Sequence, residues 1–298
     1  MPKFSPAFIG LLAASVVVCI VVALQRPTAV NRDLVYKIGI DEAPPLLQFN
    51  KDGSAGGFAA DILTEAARRR KIRLQWVPTN RSSPDKALGS GLVDLWPVLA
   101  ATSERKRNFH LSKPWISNTF SLVSRKQNPA HGSGDLVGKV VAFGGFPVAT
   151  VLAKRLMPKS VLQPQSSRDE ILKAVCLETA DAGFDEASHV HWLLLNRPAE
   201  CKDVNLEAVL IPSAVSEGAI GSTKAAAAAA DAIREEIYEL ARDGTMSASL
   251  DRWASLSASE TRSVLSMQAS GREKQMLAWA LGAVVLLAGC IVWQVRRT

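Results

Sequence analysis

The amino-acid sequence predicts an α/β protein of two lobes, with a membrane-spanning segment on either side of them. Three observations carry that expectation. Residues 34–78 alternate strand-like and helix-like segments in a βαβ order, and the same order returns after Leu136. Near each end of the chain lies an uncharged apolar run, at residues 7–24 and 276–294, each long enough to cross a bilayer.

Each element has its own justification. "LVYKIGI" from Leu34 alternates as a strand does, and "FAADILTEAARRRK" places Phe58, Ile62 and Ala66 on one helical face. "IRLQWVP" from Ile72 is strand-like again. In the second half "KVVAF" reads as a strand, "VATVLAKRLM" as a helix and "SVLQP" as a strand. "RDEILKAVCLE" then reads as a helix and "ADAGF" as a strand. Each lobe is therefore expected to hold a mostly parallel sheet. The stretch "KAAAAAADAIREEIYELARDG" is built from strong helix formers and stops at Gly244. Thr102 is a good N-cap, which places Arg105, Lys106 and Arg107 in or beside a first helical turn. The helix dipole disfavours cations there, so their presence asks for a reason.

The chain has 298 residues, 48% of them hydrophobic, and a formal charge of +7, ample for one or two packed units and unlike a disordered composition. The first apolar run is preceded by Lys3 and is long for a signal peptide, although "VVA" at residues 21–23 resembles a cleavage site. It is read as an anchor. The second run carries Trp279 and Trp293 near its ends and is followed by Arg296 and Arg297, as for a segment leaving into the cytoplasm. With both runs spanning, residues 27–275 lie outside the cytoplasm, and the protein is expected in the inner membrane with these residues facing the periplasm or cell exterior.

Cys19 and Cys290 fall inside the apolar runs, which leaves Cys176 and Cys201 as an even pair in an oxidising compartment. They are expected to form a disulfide. No CxxC occurs, and His189 and His191 are two apart, so no metal is expected. There is no G-x-S-x-G elbow, no H-E-x-x-H and no P-loop, so neither an enzyme nor a cofactor is expected. The cations are dispersed and partly flank the membrane runs, which gives no footprint for nucleic acid.

Five segments, in order, resemble the bacterial solute-binding proteins of family 3, the periplasmic amino-acid-binding type with two lobes and a hinge. They are "APPLLQFNKDGSAGGFAADIL", "ALGSGLVDLWPVLAATSERKRNFHLSKPW", "LVGKVVAFGGFPVATVL", "ADAGFDEA" and "ELARDGTMSASLDRW". The first carries a Gly-Phe-x-x-Asp helix entry at Gly57, Phe58 and Asp61, the second a Thr-x-x-Arg at Thr102 and Arg105, and the last an Asp-Gly-Thr turn. The resemblance spans residues 34–253 and implies a type II periplasmic-binding-protein-like fold. Lobe one would comprise residues 34–125 and 222–253, and lobe two residues 126–221. Residues 254–275 would be a linker, and 1–6 and 295–298 cytoplasmic ends.

The resemblance also implies a site. Arg105 matches the arginine that binds the ligand's α-carboxylate, which suits a permanently charged, planar fork, while Lys106 and Arg107 are left as solvated charges. Glu186, with Asp185 beside it, matches the acid that holds the ligand's amino group. Thr102 and Ala100 flank the arginine, and the turn at Gly145 and Phe146 opens a helix whose free N–H groups suit a carboxylate. This sequence departs from the pattern in three places. Ala43 stands where the family has an aromatic, Ala100 replaces a Thr or Ser, and the stretch from Asp94 to Arg105 is one residue shorter. Trp96 and Trp115 are the candidate apolar walls that would compensate, the alternative and more common role of such a tryptophan being a buried core residue.

The expected ligand is therefore a small molecule, an amino acid or a related carboxylate. A binding domain held between two membrane segments reads as the input part of a signalling receptor acting through a cytoplasmic partner. The alternative is a tethered component that delivers solute to an ABC permease. A ligand-gated channel is disfavoured because no apolar span interrupts residues 34–253.

Overall fold

The computed structural model describes residues 29–79 and 83–253. Both apolar runs and the linker lie outside the described residues, and among those described no helix is long and apolar enough to cross a membrane. Lobe one begins with strand β1 (Val35–Ile40), the short pair β2 (Gln48–Phe49) and β3 (Ala55–Gly56), helix α1 (Phe58–Arg69) and β4 (Arg73–Pro78). Helix α2 (Pro84–Gly89), β5 (Leu95–Ala100), α3 (Ser103–Asn108) and β6 (His110–Leu111) follow. The long strand β7 (Ile116–Arg125) leads to β8 (Val140–Gly144), α4 (Pro147–Leu156), β9 (Val161–Gln165), α5 (Arg168–Cys176), β10 (Ala182–Glu186) and α6 (Ala187–Leu195). Strand β11 (Leu206–Ser222) returns, and α7 (Ala227–Arg242) and α8 (Thr245–Arg252) close the described chain.

The main sheet runs β4-β1-β5-β11-β7-β10-β8-β9, with β6 paired beside β11. At one end β1 lies parallel to β4 and β5, and at the other β8 lies parallel to β10 and β9. Between these parallel blocks stand β7 and β11, antiparallel to each other and to their outer neighbours. Each lobe thus has its parallel block, and two long strands carry the chain between them. Their register shifts between Ile211 and Val215, at the segment holding Pro212, which has no N–H for the ladder.

The apolar residues segregate with this arrangement. Ile38, Phe58, Ile62, Leu63, Trp115, Ile233 and Ile237 pack into the core of lobe one. Phe120, Leu122, Val141, Phe143, Leu152 and Phe184 pack into that of lobe two, where the rings of Phe120 and Phe184 stack at 5.1 Å. Helix α1 buries Phe58, Ile62, Leu63 and Ala66 along one face, as its spacing predicts. Its entry depends on Gly57, whose φ of 100° belongs to the left-handed region and where an added Cβ would stand 2.5 Å from the Leu46 carbonyl oxygen.

Both ends of the described chain rest on lobe one, since Val30 and Trp253 pack against the same core. The carboxylate of Asp61 accepts hydrogen bonds from Ser249 Oγ and Trp253 Nε1, each at 3.0 Å, and pairs with Arg252 at 3.0 Å. In lobe two Cys176, the last residue of α5, is bonded to Cys201, with Cα atoms 5.3 Å apart. The expected disulfide is present.

Candidate ligand-binding cleft

In open parallel sheets the strand carboxyl ends are where chain reversals leave a crevice. Ala100 and Asp41 stand at or just past the ends of β5 and β1 in lobe one. Phe146, Arg168 and Glu186 stand at the corresponding ends of β8, β9 and β10 in lobe two. Asp41 is among the acids that raise the Arg168 pKa, after Glu186 and Asp185.

On the lobe-one side Thr102 caps α3, its Oγ1 accepting from the backbone N–H of Arg105 at 3.2 Å. This helix is only six residues long, so its dipole penalty on Arg105 is small. The side chain turns inward and is 6% exposed, whereas Lys106 and Arg107 are exposed. Its Nε donates to Asp85 Oδ1 at 2.9 Å and its Nη2 to Asp85 Oδ2 at 2.8 Å. Its Nη1 donates to the Ala100 carbonyl oxygen at 3.2 Å. The hydrogen bonds from Arg105 hold the Asp85 carboxyl below the usual aspartate range. A guanidinium has five N–H donors, so two of them have no acceptor among the described residues. Asp85 therefore orients Arg105 without consuming it.

On the lobe-two side Asp185 and Glu186 end β10, and both are buried. Nη1 of Arg168 bridges them, at 3.1 Å to Asp185 Oδ1 and 2.9 Å to Glu186 Oε2. Asp185 Oδ2 lies 2.7 Å from His189 Nδ1, and Glu186 Oε1 accepts from Asn118 Nδ2 at 3.4 Å. Burial works to raise the Asp185 carboxyl, but Arg168 and His189 outweigh it and the net shift is downward. Burial likewise opposes the charge on Arg168, and Glu186 and Asp185 more than compensate, so its pKa rises. The guanidinium lies over the Phe146 ring at 4.7 Å to the centroid.

Other expected site residues fall elsewhere. Both tryptophans lie buried in lobe one. Trp115 is 2% exposed, stacks near Phe58 and donates its indole N–H to the Pro97 carbonyl, while Trp96 packs with Leu88, Val93 and Leu99. Ala100 contributes its carbonyl oxygen, already taken by Arg105. Gly145 is exposed, and its N–H donates to the Gln165 carbonyl at 3.4 Å, so one of the turn's donors is already engaged. Phe146 supplies a ring face rather than a donor.

Sequence reasoning missed Asp85, Arg168, His189 and Asn118. A signal for Arg168 existed: it is the first residue of α5, the same unfavourable end of a helix dipole that drew attention to Arg105. A pair of adjacent acids ending a buried strand also requires a cation.

Two lobes joined by paired crossing strands, with charged groups gathered at the strand carboxyl ends, define a solute-binding domain. The chain belongs to the bacterial extracellular solute-binding proteins, family 3, whose family model matches residues 36–255. It is 27% identical over 150 residues to the probable histidine-binding protein of Campylobacter jejuni, covering 50% of this chain and 57% of that protein. It is 25% identical over 227 residues to the amino-acid-binding protein AabA of Dichelobacter nodosus, covering 74% and 88%. The structure of an ABC uptake transporter substrate-binding protein from Streptococcus pneumoniae with bound histidine matches with a TM-score of 0.65 at 20% identity. That match covers 74% of this chain and 92% of the other. The GluR0 ligand-binding core in complex with L-glutamate matches with a TM-score of 0.63 at 18% identity, covering 76% and 99%. At these identities the solved structures speak for the fold alone.

Proposed function

We propose that this protein binds a small carboxylate of the amino-acid type between its lobes, outside the cytoplasm, and serves as the sensory input of a membrane receptor. The observation that carries the binding reading is Arg105: a buried guanidinium, oriented by Asp85, that keeps two N–H donors at the carboxyl end of β5. The relatives described as amino-acid- or histidine-binding support the same ligand class. A ligand that touches both lobes favours the closed arrangement by its differential contacts. Since both ends of the described chain pack on lobe one, closure moves lobe two relative to both proposed membrane attachments. A tethered delivery protein for an ABC permease is the second reading, favoured by a relative from Vibrio harveyi whose description names an amino-acid ABC transporter.

The test is a thermal-shift screen of the full chain in detergent against amino acids and related carboxylates, followed by titration calorimetry. Arg105→Ala is expected to lose about 2–4 kcal/mol of affinity, as for a charged pair deprived of one member, and Arg105→Lys to recover part of it. Unchanged binding by Arg105→Ala would remove the arginine from the site. Reporter fusions at residues 1, 128 and 298 test the topology, with cytoplasmic signals expected at the two ends and an external one at 128. Co-purification with a permease would favour delivery over sensing.

A further inference from the structure

The amine-binding position of lobe two is already filled from within. All four carboxylate oxygens of Asp185 and Glu186 have protein partners, and Arg168 supplies the cation that bridges the two acids. An incoming ammonium would have to displace a guanidinium held by two ion pairs and by the Phe146 ring. Arg168 meanwhile spends only Nη1 on these acids. Its Nε and Nη2 have no acceptor among the described residues, and the side chain is 22% exposed. A subsite that would otherwise present acceptors thus presents donors.

We propose that Arg168 inverts the polarity of the lobe-two subsite, so that the preferred ligand is a small carboxylate bearing an oxygen acceptor, a 2-oxo or 2-hydroxy acid, where an amino acid bears its ammonium. This rests on the reading of Arg105 as the carboxylate clamp. The 2-oxygen accepts from the free edge of Arg168, while the ligand carboxylate takes the two remaining donors of Arg105. A protonated amine at the same place has no lone pair to offer and adds a like charge beside the guanidinium.

The experiment compares matched trios with the same side chain: an α-amino acid, its 2-oxo acid and its 2-hydroxy acid, each titrated into the full-length protein in detergent. The unmodified chain is expected to favour the oxygen-bearing members by roughly tenfold or more, as sites built to pair a polar group reject analogues that cannot pair. Arg168→Gln frees Asp185 and Glu186 and is expected to reverse the order, and Arg168→Lys, with one point charge and no fork, to fall between. Should Arg168→Gln fail to fold, the trio on the unmodified chain decides by itself. Tighter binding of the amino acid by the unmodified chain, with Arg105→Ala still abolishing it, would overturn the polarity inversion and leave the carboxylate reading standing. No binding by any member of any trio would overturn both.

Discussion

Arg105 and Asp85 form a two-bond pair, Nε to Oδ1 at 2.9 Å and Nη2 to Oδ2 at 2.8 Å, between a buried cation and an acid still about a third exposed. The acid's exposure lets water share its charge, so the pair is worth less than a fully buried one. Asp85→Asn is expected to lower stability by about 1–2 kcal/mol and to weaken ligand binding by loosening the guanidinium. The pH dependence follows from the depressed folded pKa. The contribution is fully present above the unfolded aspartate value and is lost as pH falls through the lower folded value. Melting temperatures measured from roughly pH 6 to pH 2 should therefore fall less steeply for Asp85→Asn than for the unmodified chain. Equal slopes would show that the pair does not couple to folding.

Gly57 combines a φ of 100° with a carbonyl oxygen 2.5 Å from where a Cβ would sit. Gly57→Ala must move either the turn at Leu46 or the start of α1. A cost of about 1–3 kcal/mol is expected, read as a fall of several degrees in melting temperature. An unchanged melting temperature would mean that the turn relaxes freely.

The Cys176–Cys201 bridge closes a sequence separation of 25 residues. The chain-entropy model assigns such a loop roughly 3 kcal/mol. Neither cysteine should react with an alkylating agent before reduction, and the reduced protein should melt at lower temperature. Quantitative alkylation of both without reductant would remove the bridge from the native state.

Asp61 gathers Ser249, Arg252 and Trp253 onto the start of α1. Asp61→Ala is expected to raise amide hydrogen exchange across α8 while leaving β8, β9 and β10 protected, because the lost contacts lie wholly in lobe one. Uniformly faster exchange would point to global destabilisation instead.

Much of the fold was legible because it is local. The 3.6-residue spacing of Phe58, Ile62 and Ala66 marks α1, and the two βαβ runs locate the parallel blocks within a residue or two of their observed ends. The crossing strands were not legible. In β7 the residues from Phe120 to Ser124 are buried on both faces, which erases alternation, and β11 is interrupted by Pro212, Gly218 and Gly221. Trp96 and Trp115 carry no periodic signal that separates a cleft wall from a core residue.

By itself, the sequence determined the two-lobed α/β organisation, the family, the disulfide and the helix cap that sets Arg105 at the end of β5. These depend on periodicity, capping chemistry and residue identity, which act over a few residues or through an even pair of cysteines. Tertiary structure alone decided how the charges are matched. Asp85 reaches Arg105 across 20 positions of the chain, and Arg168 reaches Asp185 and Glu186 across 17 and 18. Buried charges must find partners, but the partner is whichever opposite charge the folded chain brings within hydrogen-bond reach, and no local pattern encodes that choice.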